Sequence, residues 1–136
     1  MDPFRFIRRD ESAAQQEEAE TKWGGSHLFK EAQRRTRRYT PADWALIRLE
    51  ASTITDELAA ALGAGVPADD PRAVALAERH RLHLDRWYYP CDRQTHLGLA
   101  GLYTSDPRFA AGFESKAPGL AAYLASAIAA NAKTSS

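Results

Sequence analysis

The chain has only one cysteine, Cys91. An intramolecular disulfide is therefore impossible, which excludes a disulfide-stapled secreted fold. Net charge is lacking too: 18 lysines and arginines face 18 aspartates and glutamates. A general polyanion binder would carry a basic excess, so direct nucleic-acid contact is not expected. No run approaches the about 18 apolar residues of a membrane span. The start, MDPFRFIRRDESAAQQEE, turns charged at once and has no apolar signal-peptide core. The expected setting is the cytoplasm, away from membranes. Strand signals are also missing. There is no clear period-2 alternation bounded by turn residues, and no Asn-Gly or Asp-Gly hairpin turn. No glycine-rich phosphate loop, nucleophile elbow or framed carboxylate pair occurs.

Helix punctuation is abundant by contrast. Thr40-Pro41-Ala42-Asp43 sets a capping hydroxyl, a proline at the first helical position and a carboxylate at the third. Trp44, Ile47, Ala51, Ile54, Leu58 and Leu62 follow at helical spacing, and Gly63 and Gly65 stop the run. Asp70-Pro71 repeats the start signal for a helix that ends before Pro90. On that helix Leu76, Ala77, His80, Leu84, Trp87 and Tyr88 share one face, with Arg81, Leu82 and Asp85 towards the other. A third helix is expected from about Asp92 to Tyr103. Asp106-Pro107 starts a short segment, and Pro118 opens a last helix with Leu120, Leu124, Ala127 and Ile128 on one stripe. With 136 residues the chain suffices for one domain with its own core. The expected fold class is all-α, one domain; the sequence leaves the oligomeric state open, with a monomer favoured.

Before Tyr39 the apolar content falls. Residues 10 to 20 hold five carboxylates, and residues 30 to 38 hold Lys30, Arg34, Arg35, Arg37 and Arg38 against Glu31. Such stretches form marginal helices by themselves, and ordering them requires a partner surface. The sequence divides into a flexible extension (1–16), a ligand-ordered helical segment (17–39), a helical core (40–132) and a polar tail (133–136).

Three groups of side chains carry possible chemistry. Cys91 follows Pro90 at an expected helix start, where a thiolate is stabilised. Asp92 works against that, and the plainer reading is an inert, packed thiol. His80, His83 and His96 form the second group. His80 lies on an apolar helix face, open to a haem-ligating role in a globin-like pocket or to pairing with Cys91, as His96 is, in a Cys-His hydrolase. The plainer reading is a core histidine satisfied by one hydrogen bond. A zinc site is poorly supported, since no second cysteine exists and His80-x-x-His83 lacks the i, i+4 spacing. The aromatics are the third group. Trp87, Tyr88 and Tyr89 are consecutive, so a continuing helix would turn at least one off the core face. Trp23, Tyr39, Trp44, Tyr103, Phe109, Phe113 and Tyr123 add further rings, enough for a cleft that takes a flat, partly apolar ligand.

The run RHRLHLDRWYYPCDRQTHLGLAGLYTSDPRF, then APGLAAYLASAIAANA, resembles the TipAS drug-recognition domain, the effector-binding part of certain MerR-family activators. KWGGSHLFKEAQRRTRRYTPADW resembles the family's N-terminal portion. The similarity runs from about residue 17 to about residue 132. It implies a globin-like helical domain without haem or other cofactor, which binds thiopeptide or other bulky peptide-like antibiotics and is not an enzyme. It implies an N-terminal part that folds over the ligand. It also implies that Cys91 occupies the place of a cysteine that adds to a dehydroalanine, although Pro90 directly before it departs from the family pattern. No MerR-type DNA-binding segment is present in these residues, which suits either a drug-sequestering protein or the sensing domain of a regulator. The ligand-binding candidates are Cys91, Trp87, Tyr88, His80, Tyr103, Phe109, Phe113, Tyr39, Trp44 and Trp23.

Overall fold

The computed structural model describes residues 26–134, which fold into six helices with no strand among them. They are α1 (Ser26–Thr36), α2 (Pro41–Gly63), α3 (Pro71–Trp87), α4 (Arg93–Ser105), α5 (Pro107–Lys116) and α6 (Leu120–Thr134). No described helix is long and apolar enough to cross a membrane.

Local chemistry starts most of these helices. Thr40 accepts from the Asp43 amide at 3.1 Å, and Asp43 accepts from the Thr40 amide at 2.9 Å, a closed capping box before α2. Asp70, Asp92 and Asp106 cap α3, α4 and α5 through the amides of Arg72, Thr95 and Arg108. Each cap satisfies an amide that would otherwise be orphaned, a contribution of about 1 kcal/mol. Gly65 (φ +77°) carries the turn after α2. The last helix begins two residues later than Pro118 because Gly119 takes φ +85°, a left-handed conformation that cannot continue a helix. Glu114 of α5 then accepts from the amides of Gly119 and Ala121 at 3.0 and 2.9 Å, fixing the α5–α6 corner.

The core forms where α6 packs against α4 and α3, with α2 closing the far side of α3. Leu84, Leu99, Leu120, Leu124, Ile128, Ile47 and Leu58 are fully buried there. Truncating such a leucine to alanine costs about 2–5 kcal/mol. Two side-chain bonds cross the core boundary: Tyr123 Oη donates to the Val66 carbonyl at 2.8 Å, and Asn131 Nδ2 donates to Glu78 at 2.8 Å.

Helix α1 lies against α3. Phe29 and Ala32 are buried and Leu28 packs beside them. These positions form a short apolar stripe aimed at the core, and Arg35 Nη1 donates to the Asp85 carbonyl of α3 at 2.8 Å. The expectation for Trp87, Tyr88 and Tyr89 is also corrected, since all three are buried. Helix α3 stops at Trp87 and its cap, Tyr88, widens to φ −119° (ψ −56°), so the regular 100° stepping that would have expelled one ring ends there.

Candidate functional site

The aromatic candidates separate into two groups. Tyr39, in the α1–α2 linker, meets Trp44 edge-on at 5.5 Å and Trp87 at 5.7 Å, and Trp44 reaches Tyr88 at 6.4 Å. Its hydroxyl donates to the Trp87 carbonyl. Burial pushes the Tyr39 phenol above its ordinary pKa, against the pull of Arg35. The outer surface of this group is charged: the Arg86 guanidinium lies 4.6 Å from the Trp87 ring centroid, a cation–π contact. Beneath it, Glu50 accepts from His83 Nδ1 at 2.5 Å and from Trp87 Nε1 at 3.0 Å, which locks the indole. Burial raises the Glu50 pKa, but the hydrogen bonds from His83 and Trp87 outweigh it and hold the carboxyl below its usual range.

The second group is interior. His80 Nδ1 and His96 Nε2 are 2.9 Å apart, so one ring donates and the other accepts. Tyr103 and Phe113 pack edge-on against His80, and Phe109 is buried in the same core. Burial drives both imidazoles towards the neutral form: His80 falls well below 6.5, helped by His96 and His83, and His96 drops to about 3, with Arg81 adding to the effect. His80 is thus committed to His96, in the role of a core histidine satisfied by one partner. That bond takes one nitrogen of each ring, His80 Nδ1 and His96 Nε2.

Cys91 lies one residue before the α4 cap and is 1% exposed. Its backbone is clamped: Arg81 donates to its carbonyl at 2.7 Å, and its amide donates to Asp85 at 2.8 Å. A thiolate stabilised by the helix start is not what results. Burial pushes the Cys91 thiol up to about 12, with Asp85 and Asp92 adding to it and Arg81 opposing. Beside it, Arg81 holds Glu78 down to about 2, burial opposing and Asn131 and Arg93 assisting.

Next to Tyr39 opens a concavity of about 280 Å³ lined by Glu31, Arg34, Arg35, Arg38 and Tyr39. Glu31 accepts from Arg34 and, at 2.7 Å, from Arg35. The Arg34 and Arg35 bonds pull the Glu31 carboxyl below its usual range.

The structure therefore gathers Tyr39, Trp44, Trp87 and Tyr88 on the α1 side. It sets His80, Tyr103, Phe109 and Phe113 in the core. Trp23 lies outside the described residues. Sequence reading overlooked Glu50, whose signal was a carboxylate between Ile47, Ala51 and Ile54 on the inward stripe of α2. It also overlooked the arginine-lined concavity, whose signal was the recurrence of Glu31, Arg34, Arg35 and Arg38 at helical spacing.

The described residues thus form an all-helical domain with a cluster of rings beside its first described helix. Residues 16–131 match the TipAS antibiotic-recognition domain, and the chain belongs to that family, with its globin-like helical fold. It is 38% identical over 117 residues to the HTH-type transcriptional activator TipA of Streptomyces coelicolor, a match covering 86% of this chain but 46% of that protein. The chain thus spans under half the length of that relative. Among solved structures, it is similar to TipAS of Streptomyces lividans in complex with nosiheptide, from a thiopeptide antibiotic multidrug resistance system (TM-score 0.81, 35% identity, 98% of this chain, 87% of the other). It is also similar to the antibiotic-binding domain of a TipA-class multidrug resistance transcriptional regulator (TM-score 0.60, 41% identity, 65% of this chain, 94% of the other).

Proposed function

We propose that this chain captures a thiopeptide or similarly bulky peptide-like antibiotic, without turnover, on the face where α1 meets Tyr39, Trp44 and Trp87. The observation that carries the reading is the likeness, over 98% of this chain, to a TipAS domain solved with nosiheptide. The geometry suits it. Trp44 and Tyr39 are only partly buried, so their rings offer apolar area, while Glu50 keeps Trp87 in one orientation and lowers the ordering cost of binding. Burial and the raised pKa of the Cys91 thiol favour non-covalent capture. Binding serves either sequestration of the drug or the drug-sensing step of a regulator.

The test is a titration with nosiheptide, read by tryptophan fluorescence and calorimetry. A saturable, tight transition is expected, with a Trp87→Phe variant losing much of the optical change. Absence of any transition at micromolar nosiheptide would overturn the thiopeptide assignment. For sequestration, expression in a thiopeptide-sensitive host should raise the inhibitory concentration in proportion to the protein made. No rise would leave sensing as the role.

A further inference from the structure

The concavity beside Tyr39 carries a charge arrangement that an apolar peptide does not need. Three guanidiniums converge on it against one carboxylate. Two of the three have tasks: Arg34 and Arg35 share Glu31, and Arg35 also holds the Asp85 carbonyl. As cations in the last turn of α1 they also complement its C-terminal dipole. Arg38 is different. It lies two residues beyond the end of α1, is exposed, and its guanidinium makes no hydrogen bond or ion pair among the described residues. Only its backbone is engaged, by donation to the Arg35 carbonyl. Helix formation therefore does not account for its charge at this position. Arg34 is likewise 64% exposed, and among the described residues its guanidinium pairs with Glu31 alone. A guanidinium presents five N–H donors in a rigid fork, so both arginines have donors to spare.

We infer that this concavity is an anion subsite and that the ligand recognised by this chain carries a carboxylate, seated between Arg38 and Arg34 with its attached ring or chain against Tyr39. The inference rests on the antibiotic-capture reading above. Exposed ion pairs contribute little singly, but convergence in a concave wall, with a bidentate fork available, strengthens each bond to a carboxylate. Tyr39 is fastened to Trp87, so the acid group would sit at one end of the ring surface and set the ligand's direction along it. Glu31 competes for the same donors. A phosphate-bearing polymer is the other occupant of such a basic rim. A chain of zero net charge favours a small acid over that polymer.

The test uses the full chain and one thiopeptide in two forms, the free acid and its carboxamide, compared by calorimetry. The acid is expected to bind at least about tenfold more tightly, the value of one charge-assisted bond, and to weaken with salt. Arg38→Gln and Arg34→Gln should each remove most of that preference while leaving carboxamide binding in place. Glu31→Gln should act in the opposite direction and raise affinity for the acid. Equal affinity of acid and carboxamide, both tight, would overturn the subsite and leave antibiotic capture standing. Failure of both forms to bind would overturn the two together. Duplex DNA binding that Arg38→Gln abolishes, with no preference for the acid, would assign the cluster to phosphate instead.

Discussion

Tyr39 donates its phenolic hydrogen to the backbone carbonyl of Trp87, the last residue of α3. The α1–α2 linker is thereby fastened to the point where α3 ends and the chain turns towards Cys91. A carbonyl in the last turn of a helix has no intrahelical donor, so the bond satisfies a group that would otherwise rely on water. Tyr39→Phe keeps the ring contacts and deletes only the donor. A loss of about 1 kcal/mol in urea unfolding is expected. A change below a few tenths would mean that water replaces the hydroxyl at no cost.

Phe29 is the apolar anchor of α1. Its replacement by alanine removes most of what docks the helix, so the expected result is local. Amide hydrogen exchange across residues 26–36 should become fast while the core of α3, α4 and α6 stays protected. Loss of protection in α4 and α6 as well would show that α1 is an integral part of one cooperative unit.

The His80–His96 pair makes stability depend on pH with a definite sign. Folded His96 titrates near 3 against an ordinary 6.5, and His80 is lowered too. The unfolded chain therefore binds more protons between those limits. The stabilisation is complete above about 6.5 and is lost as pH falls towards 3. For His96 the limiting slope is about 1.4 kcal/mol per pH unit. Glu78, held near 2 by Arg81, acts in the same direction below about 4.5. Thermal midpoints should fall steadily from pH 7 to pH 4. His96→Leu should lower stability at pH 7 yet flatten that slope. A wild-type profile that stays level from pH 7 to 5 would contradict the buried neutral pair.

Cys91 should be slow to alkylate. A thiol at about 12 in place of 9.0 holds roughly a thousandfold less thiolate at pH 8, and burial slows access further. Iodoacetamide labelling should be negligible in the native protein and prompt in 6 M urea. Prompt native labelling would show that the segment around Cys91 opens readily, and would revive a covalent step with an electrophilic ligand. Intact mass after incubation with nosiheptide checks that step directly.

Helix starts were legible because each is written within three or four residues: Thr40 with Asp43, Asp70 with Pro71, Asp106 with Pro107. The end of α3 was not, because Trp87, Tyr88 and Tyr89 look helical until Pro90, and the packing of three rings decides where the helix breaks. The His80–His96 bond joins residues 16 apart on different helices, which no periodicity displays. The burial of Cys91 likewise depends on Arg81 and Asp85 reaching it from α3. The family resemblance was legible too, and residues 16–131 match that family. Glu31, Arg34, Arg35 and Arg38 recur at helical spacing, so their common face was legible; that they line one concavity beside Tyr39 was not.

The caps at Asp70, Asp92 and Asp106 have a consequence for diversification. None of these three aspartates takes part in the Tyr39–Trp44–Trp87 ring contacts, so substitutions among those rings leave the starting signals of α3, α4 and α5 in place. Changes on α1 can then accumulate without retuning where α3, α4 and α5 begin, and the outer face varies independently of the frame beneath it.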